Sequence, residues 1–137
     1  MTTIAACVTT GVMCSDSFWF DGDECGIIRK VYRVRGGLIG LAGDLDHIKR
    51  WLDNYRANKP LKGHSVNVLR LSAAGLDMWT VVDGWHPIGQ PQFAVGSGSK
   101  AARGAMAAGA SCARAVRIAC DIDANTGGPI RTYRLGA

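Results

Sequence analysis

No C-x-x-C pair occurs in the 137-residue sequence, and its five cysteines (Cys7, Cys14, Cys25, Cys112 and Cys120) are an odd number. That pattern argues against both a zinc site and a disulfide framework, and the thiols read as small buried hydrophobes. The histidines His47, His64 and His86 lack metal-ligand spacing, so no metal is expected. Neither G-x-G-x-x-G nor a Walker pattern is completed, and Gly96-Ser97-Gly98 falls short of the G-x-S-x-G nucleophile elbow. No cofactor is expected. No apolar run approaches the roughly 20 residues of a membrane span, and no basic stretch precedes the first apolar residues as it would in a signal peptide. A cytoplasmic protein without a membrane partner is the expectation. The formal charge of +5 comes from 16 Lys+Arg against 11 Asp+Glu. These charges are dispersed, with no basic helix or aromatic-basic ladder, so solubility accounts for them and no nucleic-acid partner is expected.

What is present suits one compact domain spanning 1–137, with 47% hydrophobic and 20% charged residues. The chain begins Met1-Thr2-Thr3-Ile4. Removing Met1 would leave a threonine with a free α-amine of pKa about 7.7–8.0, so one residue supplies both a nucleophilic hydroxyl and a base working near neutral pH. Met-Thr is also a common way to start a protein, so the motif acquires meaning only from partners elsewhere in the chain.

Strand-like Ile4 to Val8 and Val12 to Ser15 flank Thr9-Thr10-Gly11 and predict a hairpin, and Asp16 follows as an acid at the end of an apolar run. Asp21 to Gly26, polar and glycine-containing, reads as a surface loop. Ile27 to Val34 and Leu38 to Ala42 predict a second hairpin turning at Arg35-Gly36-Gly37, with Lys30 inside its first strand. Asp44 is placed to cap a helix carrying Leu45, Ile48, Leu52 and Tyr55 at helical spacing until Asn58-Lys59-Pro60. Val66 to Leu71, Leu76 to Val82 and Phe93 to Val95 read as strands, with Asp83-Gly84 as a turn before Trp85. Ser99 is placed to cap a small-residue helix over Lys100 to Ala108. Ser111 is placed to cap another, with Cys112, Ala115, Val116, Ala119 and Ile122 as its apolar face. A glycine-rich loop from Asp123 to Pro129 leads to a last strand, Ile130 to Leu135.

Several segments in this order resemble the β-type subunits of proteasomes and their bacterial relative, the HslV peptidase. They are Thr2-Thr3-Ile4, Cys14-Ser15-Asp16-Ser17, Lys30-Val31-Tyr32-Arg33, Gly40-Leu41-Ala42-Gly43, Val95-Gly96-Ser97-Gly98 and Asp123-Ala124-Asn125-Thr126-Gly127-Gly128. The resemblance covers nearly the whole chain. It implies an α+β fold, a four-layer αββα sandwich of two antiparallel sheets (the N-terminal nucleophile hydrolase fold). Only one helix fits between Gly43 and Val66, where the family carries a helical hairpin, so the outer helical layer is expected to be reduced.

Carried across residue by residue, the resemblance implies Thr2 as the nucleophile once ordinary processing removes Met1. Lys30 would lower the hydroxyl's pKa, with Asp16 offsetting its buried charge, and the Gly43 N–H would face the oxyanion. Ser97 and Asp123, with Thr126 beside them, would orient the α-amine. Trp19, Ile28, Tyr32, Leu41 and Leu45 would line the pocket for the residue before the cleaved bond, implying a hydrophobic or aromatic preference. The implied protein is a threonine endopeptidase in a homo-oligomeric ring that degrades peptides or unfolded proteins. The small-residue helices would serve as packing faces, and an ATP-dependent unfoldase is the implied partner at the outer face. Two other readings keep the fold: an amidase acting on small amides, and a non-catalytic ring or scaffold subunit. A scaffold has no need of the set Thr2, Asp16, Lys30, Gly43 and Asp123.

Overall fold

Short β-branched and aromatic runs between glycine turns form strands, and the amphipathic or alanine-rich runs form helices. The computed structural model describes residues 2–21 and 23–136; Met1, on which release of the Thr2 amine depends, lies outside the described residues. In chain order come strands β1 (Thr3–Cys7), β2 (Val12–Ser15), β3 (Phe18–Asp21), β4 (Glu24–Ile27), β5 (Val31–Val34) and β6 (Gly37–Gly43), then helix α1 (Leu45–Arg56). Strands β7 (Val66–Ser72), β8 (Gly75–Thr80), β9 (Gly84–Ile88) and β10 (Gln92–Gly96) follow. Helices α2 (Ser99–Ala107) and α3 (Cys112–Ile122) precede the last strand, β11 (Arg131–Arg134).

These elements build a four-stranded sheet ordered β10-β1-β2-β11 and a five-stranded sheet ordered β5-β6-β7-β8-β9. Pairing is antiparallel throughout, with Ile4 opposite both Ser15 and Val95. Ile4, Met13, Val31, Leu38, Leu69, Leu71 and Val95 fill the space between the sheets. Each such side chain stabilises the fold by about 1.5–3 kcal/mol relative to exposure. Helices α2 and α3 cover the other face of the four-stranded sheet. Fully buried Ala102, Ala115 and Ala119 let them approach Ala5 and Cys14 closely. Among the described residues, helix α1 alone covers the five-stranded sheet, through Ile48, Trp51 and Leu52. The result is the expected αββα sandwich with a single helix on one outer face. Among the described residues no helix is long and apolar enough to cross a membrane.

Local expectations differ from the structure where exposure and periodicity disagree. Asp21 and residues 24–26, expected in a loop, belong to a hairpin arm instead: β3 and β4 pair from Phe18↔Ile27 to Asp21↔Glu24. Exposed Glu24 and Cys25 gave β4 a polar look, and Cys25 is accordingly not a buried thiol. The strand expected over Ile27 to Val34 is interrupted at residues 28–30, so Lys30 precedes β5 instead of lying within it. Asp44 and Gly98 occupy the helix-start positions of α1 and α2 without a side-chain cap bond, and Ser99 is already the first residue of α2. Ser111 does cap α3, accepting from the Arg114 N–H. Ile122, expected on the apolar face of α3, is 69% exposed at the helix end. Trp51 is the fully buried centre of the α1 cluster, stacked on Tyr55 at 5.1 Å.

Candidate active site

Asp16 lies just past the end of β2, where the chain leaves the four-stranded sheet, and it is fully buried. A buried carboxylate must be paired and hydrogen-bonded. Its Oδ1 accepts from the Lys30 ammonium at 2.9 Å and from the Thr3 N–H at 3.0 Å, and its Oδ2 accepts from the Gly127 N–H at 3.1 Å. One side chain thereby joins the start of β1, the approach to β5 and the loop after α3. The break at residues 28–30 explains Lys30: its side chain turns inward and is 3% exposed, unlike the typical strand lysine. Burial pushes the Lys30 ammonium below its ordinary value of 10.5, with the charge and hydrogen bond of Asp16 opposing that shift.

Thr2, 4% exposed, immediately precedes β1. Its backbone nitrogen donates to Ser97 Oγ at 3.2 Å, and Ser97 Oγ donates to Asp123 Oδ2 at 2.5 Å. Asp123 Oδ2 also accepts from Thr126 Oγ1 at 2.6 Å. Burial would raise the Asp123 carboxyl, but the hydrogen bonds from Ser97, Thr126 and the Asn125 N–H outweigh it and hold the pKa below 3.8. Thr3 adds a fully buried hydroxyl 2.8 Å from Thr126 Oγ1. Each hydroxyl has one proton to give. Thr126 gives its proton to Asp123, so Thr3 is the donor to Thr126 and the chain Thr3, Thr126, Asp123, Ser97 has a fixed direction. With its proton committed to Asp123, Ser97 Oγ is left to accept from the Thr2 nitrogen.

Thr2, Lys30 and Gly43 line one cavity of about 100 Å³. Gly43 ends β6 at φ +142°, and a Cβ there would fall 1.6 Å from the Ser65 carbonyl oxygen, so only glycine fits. Of the expected pocket residues, Trp19, Ile28, Leu41 and Leu45 line this cavity. Tyr32 does not. Along β5 Val31 points into the inter-sheet core, so Tyr32 faces α1, where the Arg56 guanidinium lies 5.5 Å from its ring centre. Phe18, Phe20, Arg29 and Ile48 line the cavity and were not foreseen. Phe18 and Phe20 belong to the β3–β4 arm, whose pairing was read as a loop. The role of Thr3 was signalled only by a hydroxyl residue in an otherwise apolar strand. Among the described residues no three His, Cys, Asp or Glu side chains gather as a metal site requires.

No family model and no characterised protein sequence matches the chain. Solved structures do. BPH from Thiobacillus denitrificans in complex with epoxomicin superposes with a TM-score of 0.79 at 18% identity, over 99% of this chain and 100% of that one. A second structure of BPH from the same organism gives 0.73 at 18%, over 96% and 95%. HslV from Trypanosoma brucei gives 0.72 at 18%, over 96% and 98%. A likeness of this extent at this identity is one of fold, and the chain has the αββα N-terminal nucleophile hydrolase fold of HslV and BPH.

Proposed function

We propose that this chain is an N-terminal threonine endopeptidase, activated by loss of Met1, and that it works as a subunit of a homo-oligomeric, self-compartmentalising ring. The observation that carries this reading is that two hydrogen-bonded systems converge on the start of the chain: Asp16, which holds Lys30 at 2.9 Å and the Thr3 N–H at 3.0 Å, and Asp123 with Ser97, whose oxygen holds the Thr2 nitrogen at 3.2 Å. Burying an ion pair is costly and points to a functional site, and here its Lys30 member lines a cavity together with Thr2.

In this mechanism the Thr2 hydroxyl attacks the scissile carbonyl and the neutral α-amine takes its proton, while the Lys30 ammonium favours the developing alkoxide. The Gly43 N–H donates to the oxyanion, an interaction worth about 2.7–4 kcal/mol in other acyl-transfer sites. The protonated amine then gives its proton to the leaving amine. Water attacks the resulting ester with the amine again acting as base, releasing the acid and restoring Thr2. The aromatic and aliphatic lining supports a hydrophobic residue before the cleaved bond, with Trp19, Ile28, Leu41 and Leu45 forming its pocket. The exposed small residues Gly104 and Ala107 of α2 suit ring packing, and an ATP-dependent unfoldase is the partner this reading implies.

A second reading keeps the same chemistry: a cavity of about 100 Å³, enough for one side chain before a cleaved bond, equally admits a small amide. Fluorogenic peptides with a bulky apolar residue before the reporter, an unfolded protein and a small aryl amide separate the two. The endopeptidase cleaves the first two, and Thr2→Ala abolishes both activities. Cleavage of the small amide alone, by a species that sediments as a monomer, replaces the endopeptidase with the amidase. Undiminished cleavage by Thr2→Ala rejects both.

A further inference from the structure

Three charged residues line the cavity at Thr2: Arg29, Lys30 and Asp44. Two of them have their charge matched by the protein. The Lys30 ammonium lies against Asp16 at 2.9 Å. Asp44 immediately precedes α1, and although its side chain makes no cap bond, its negative charge stands at the positive end of the helix dipole. Arg29 differs from both. It is exposed, and its guanidinium enters no ion pair and no hydrogen bond among the described residues. The hydrolytic mechanism makes no use of it either.

The backbone that carries Arg29 is nevertheless held at three successive residues. The Ile28 N–H donates to the Ser17 carbonyl at 2.9 Å, and the Lys30 carbonyl accepts from the Leu41 N–H at 3.0 Å. Between them the Arg29 carbonyl accepts from the Tyr32 hydroxyl at 3.2 Å, so Tyr32 helps to fix the break at residues 28–30 from outside the cavity. A guanidinium on a fixed backbone orders only its own side chain when it pairs, which limits the entropy lost on binding. The rest of the lining decides where its partner stands. Trp19, Ile28, Leu41 and Leu45 offer no polar side-chain partner to a carboxylate pushed among them, and burying it there is costly. An apolar side chain fills the cavity, and the carboxylate stays at the rim on a neighbouring residue. We propose that Arg29 is a specificity-determining residue that selects peptides in which the apolar residue occupying the cavity is flanked by an acidic one. The planar guanidinium pairs with the carboxylate through two parallel hydrogen bonds, a geometry that lysine does not reproduce. This inference rests on the cavity being the peptide-binding site proposed above.

The test uses three labelled peptides with amidated C-termini, identical except that a central leucine is flanked on both sides by glutamate, glutamine or lysine. Binding is read by fluorescence anisotropy on the non-cleaving Thr2→Ala protein, and cleavage by steady-state kinetics on the wild type. The glutamate peptide is expected to bind about tenfold more tightly than the lysine peptide at roughly 50 mM salt, with glutamine between them, and the ratio is expected to shrink to about threefold near 300 mM, as exposed charge pairs are screened. In cleavage the preference appears in KM with kcat unchanged, because the rim pairing is the same in ground state and transition state. Arg29→Glu is expected to invert the order of the peptides, and Arg29→Lys to keep it in weaker form. Arg114→Glu, exposed on α3, makes the same change of net charge and leaves the order as in the parent protein. Equal melting temperatures of the Arg29→Glu and Arg114→Glu proteins exclude misfolding as the cause. Charge preference in binding without cleavage of any peptide rejects the hydrolytic reading and upholds the role of Arg29. Equal binding of the three peptides, an unchanged order in Arg29→Glu, equal loss in Arg114→Glu, or no saturable binding overturns the proposal.

Discussion

The Lys30 ammonium lies 2.9 Å from Asp16 Oδ1, with the lysine 3% exposed and the aspartate fully enclosed. Removing one partner of such a pair strands the other. Asp16→Asn is expected to cost about 3–5 kcal/mol in urea-unfolding free energy. Adding Lys30→Met is expected to recover part of that loss, because the stranded charge is gone, while hydrolysis stays absent in both variants. An Asp16→Asn protein as stable as wild type contradicts the structural account of this pair.

Thr3 is expected to matter through its hydroxyl. Thr3→Val leaves Thr126 Oγ1 without its donor in a buried setting, at a cost of about 1–3 kcal/mol. It also loosens the hydroxyl chain that commits the Ser97 proton to Asp123. Turnover number should fall more than KM rises, and Thr3→Ser should restore both stability and rate. Failure of Thr3→Ser to rescue while the protein remains folded shows that the methyl group, not the hydroxyl, is what the site requires.

The pH dependence follows from which groups must be charged. The α-amine must be neutral to accept a proton, so the rate rises as pH passes through its pKa. Lys30 must be protonated, and burial pushes its pKa below 10.5, so the rate falls again before pH reaches that value. Asp123, held below 3.8, is ionised across this range and adds no limb of its own near neutrality. Asp123→Asn removes a negative charge that favours the ammonium form, so the acid limb moves to lower pH while the peak rate falls by roughly 10²-fold. A pH–rate profile of the wild type that stays level through pH 10.5 contradicts the role given to Lys30.

Gly43→Ala places a methyl group against the Ser65 carbonyl, which also accepts the Asp44 N–H at 3.1 Å. The corner between β6 and α1 must then shift. Backbone strain alone costs about 1–3 kcal/mol, and the oxyanion donor proposed at Gly43 loses its geometry. Steady-state kinetics should show a reduced kcat with a smaller change in KM. An unchanged kcat removes Gly43 from the oxyanion role.

Much of this site was legible in the sequence because its parts stand at punctuation points. Asp16 follows an apolar strand, Gly43 ends another, and Ser97 and Asp123 flank the helical pair. Lys30 was harder. As a residue inside a continuous strand it would alternate toward solvent, and only the break at residues 28–30 turns it inward. Tyr32 was expected in the pocket through the resemblance, whereas alternation along β5 sends it to the α1 side. The β3–β4 arm escaped because its outer strand is exposed and acidic, so it carries no apolar periodicity, and with it went Phe18 and Phe20. Thr3 donates to Thr126 across 123 positions of sequence, a relationship no local pattern encodes.

The central claim is that Thr2, freed of Met1, is the nucleophile. Epoxomicin, bound by BPH from Thiobacillus denitrificans, serves as the probe, and intact-mass spectrometry of wild type and Thr2→Ala before and after its addition gives the direct reading. The account predicts a wild-type mass lacking Met1 that gains one inhibitor mass, and a Thr2→Ala protein that gains none. Retention of Met1 with no adduct, or an equal adduct on Thr2→Ala, contradicts it.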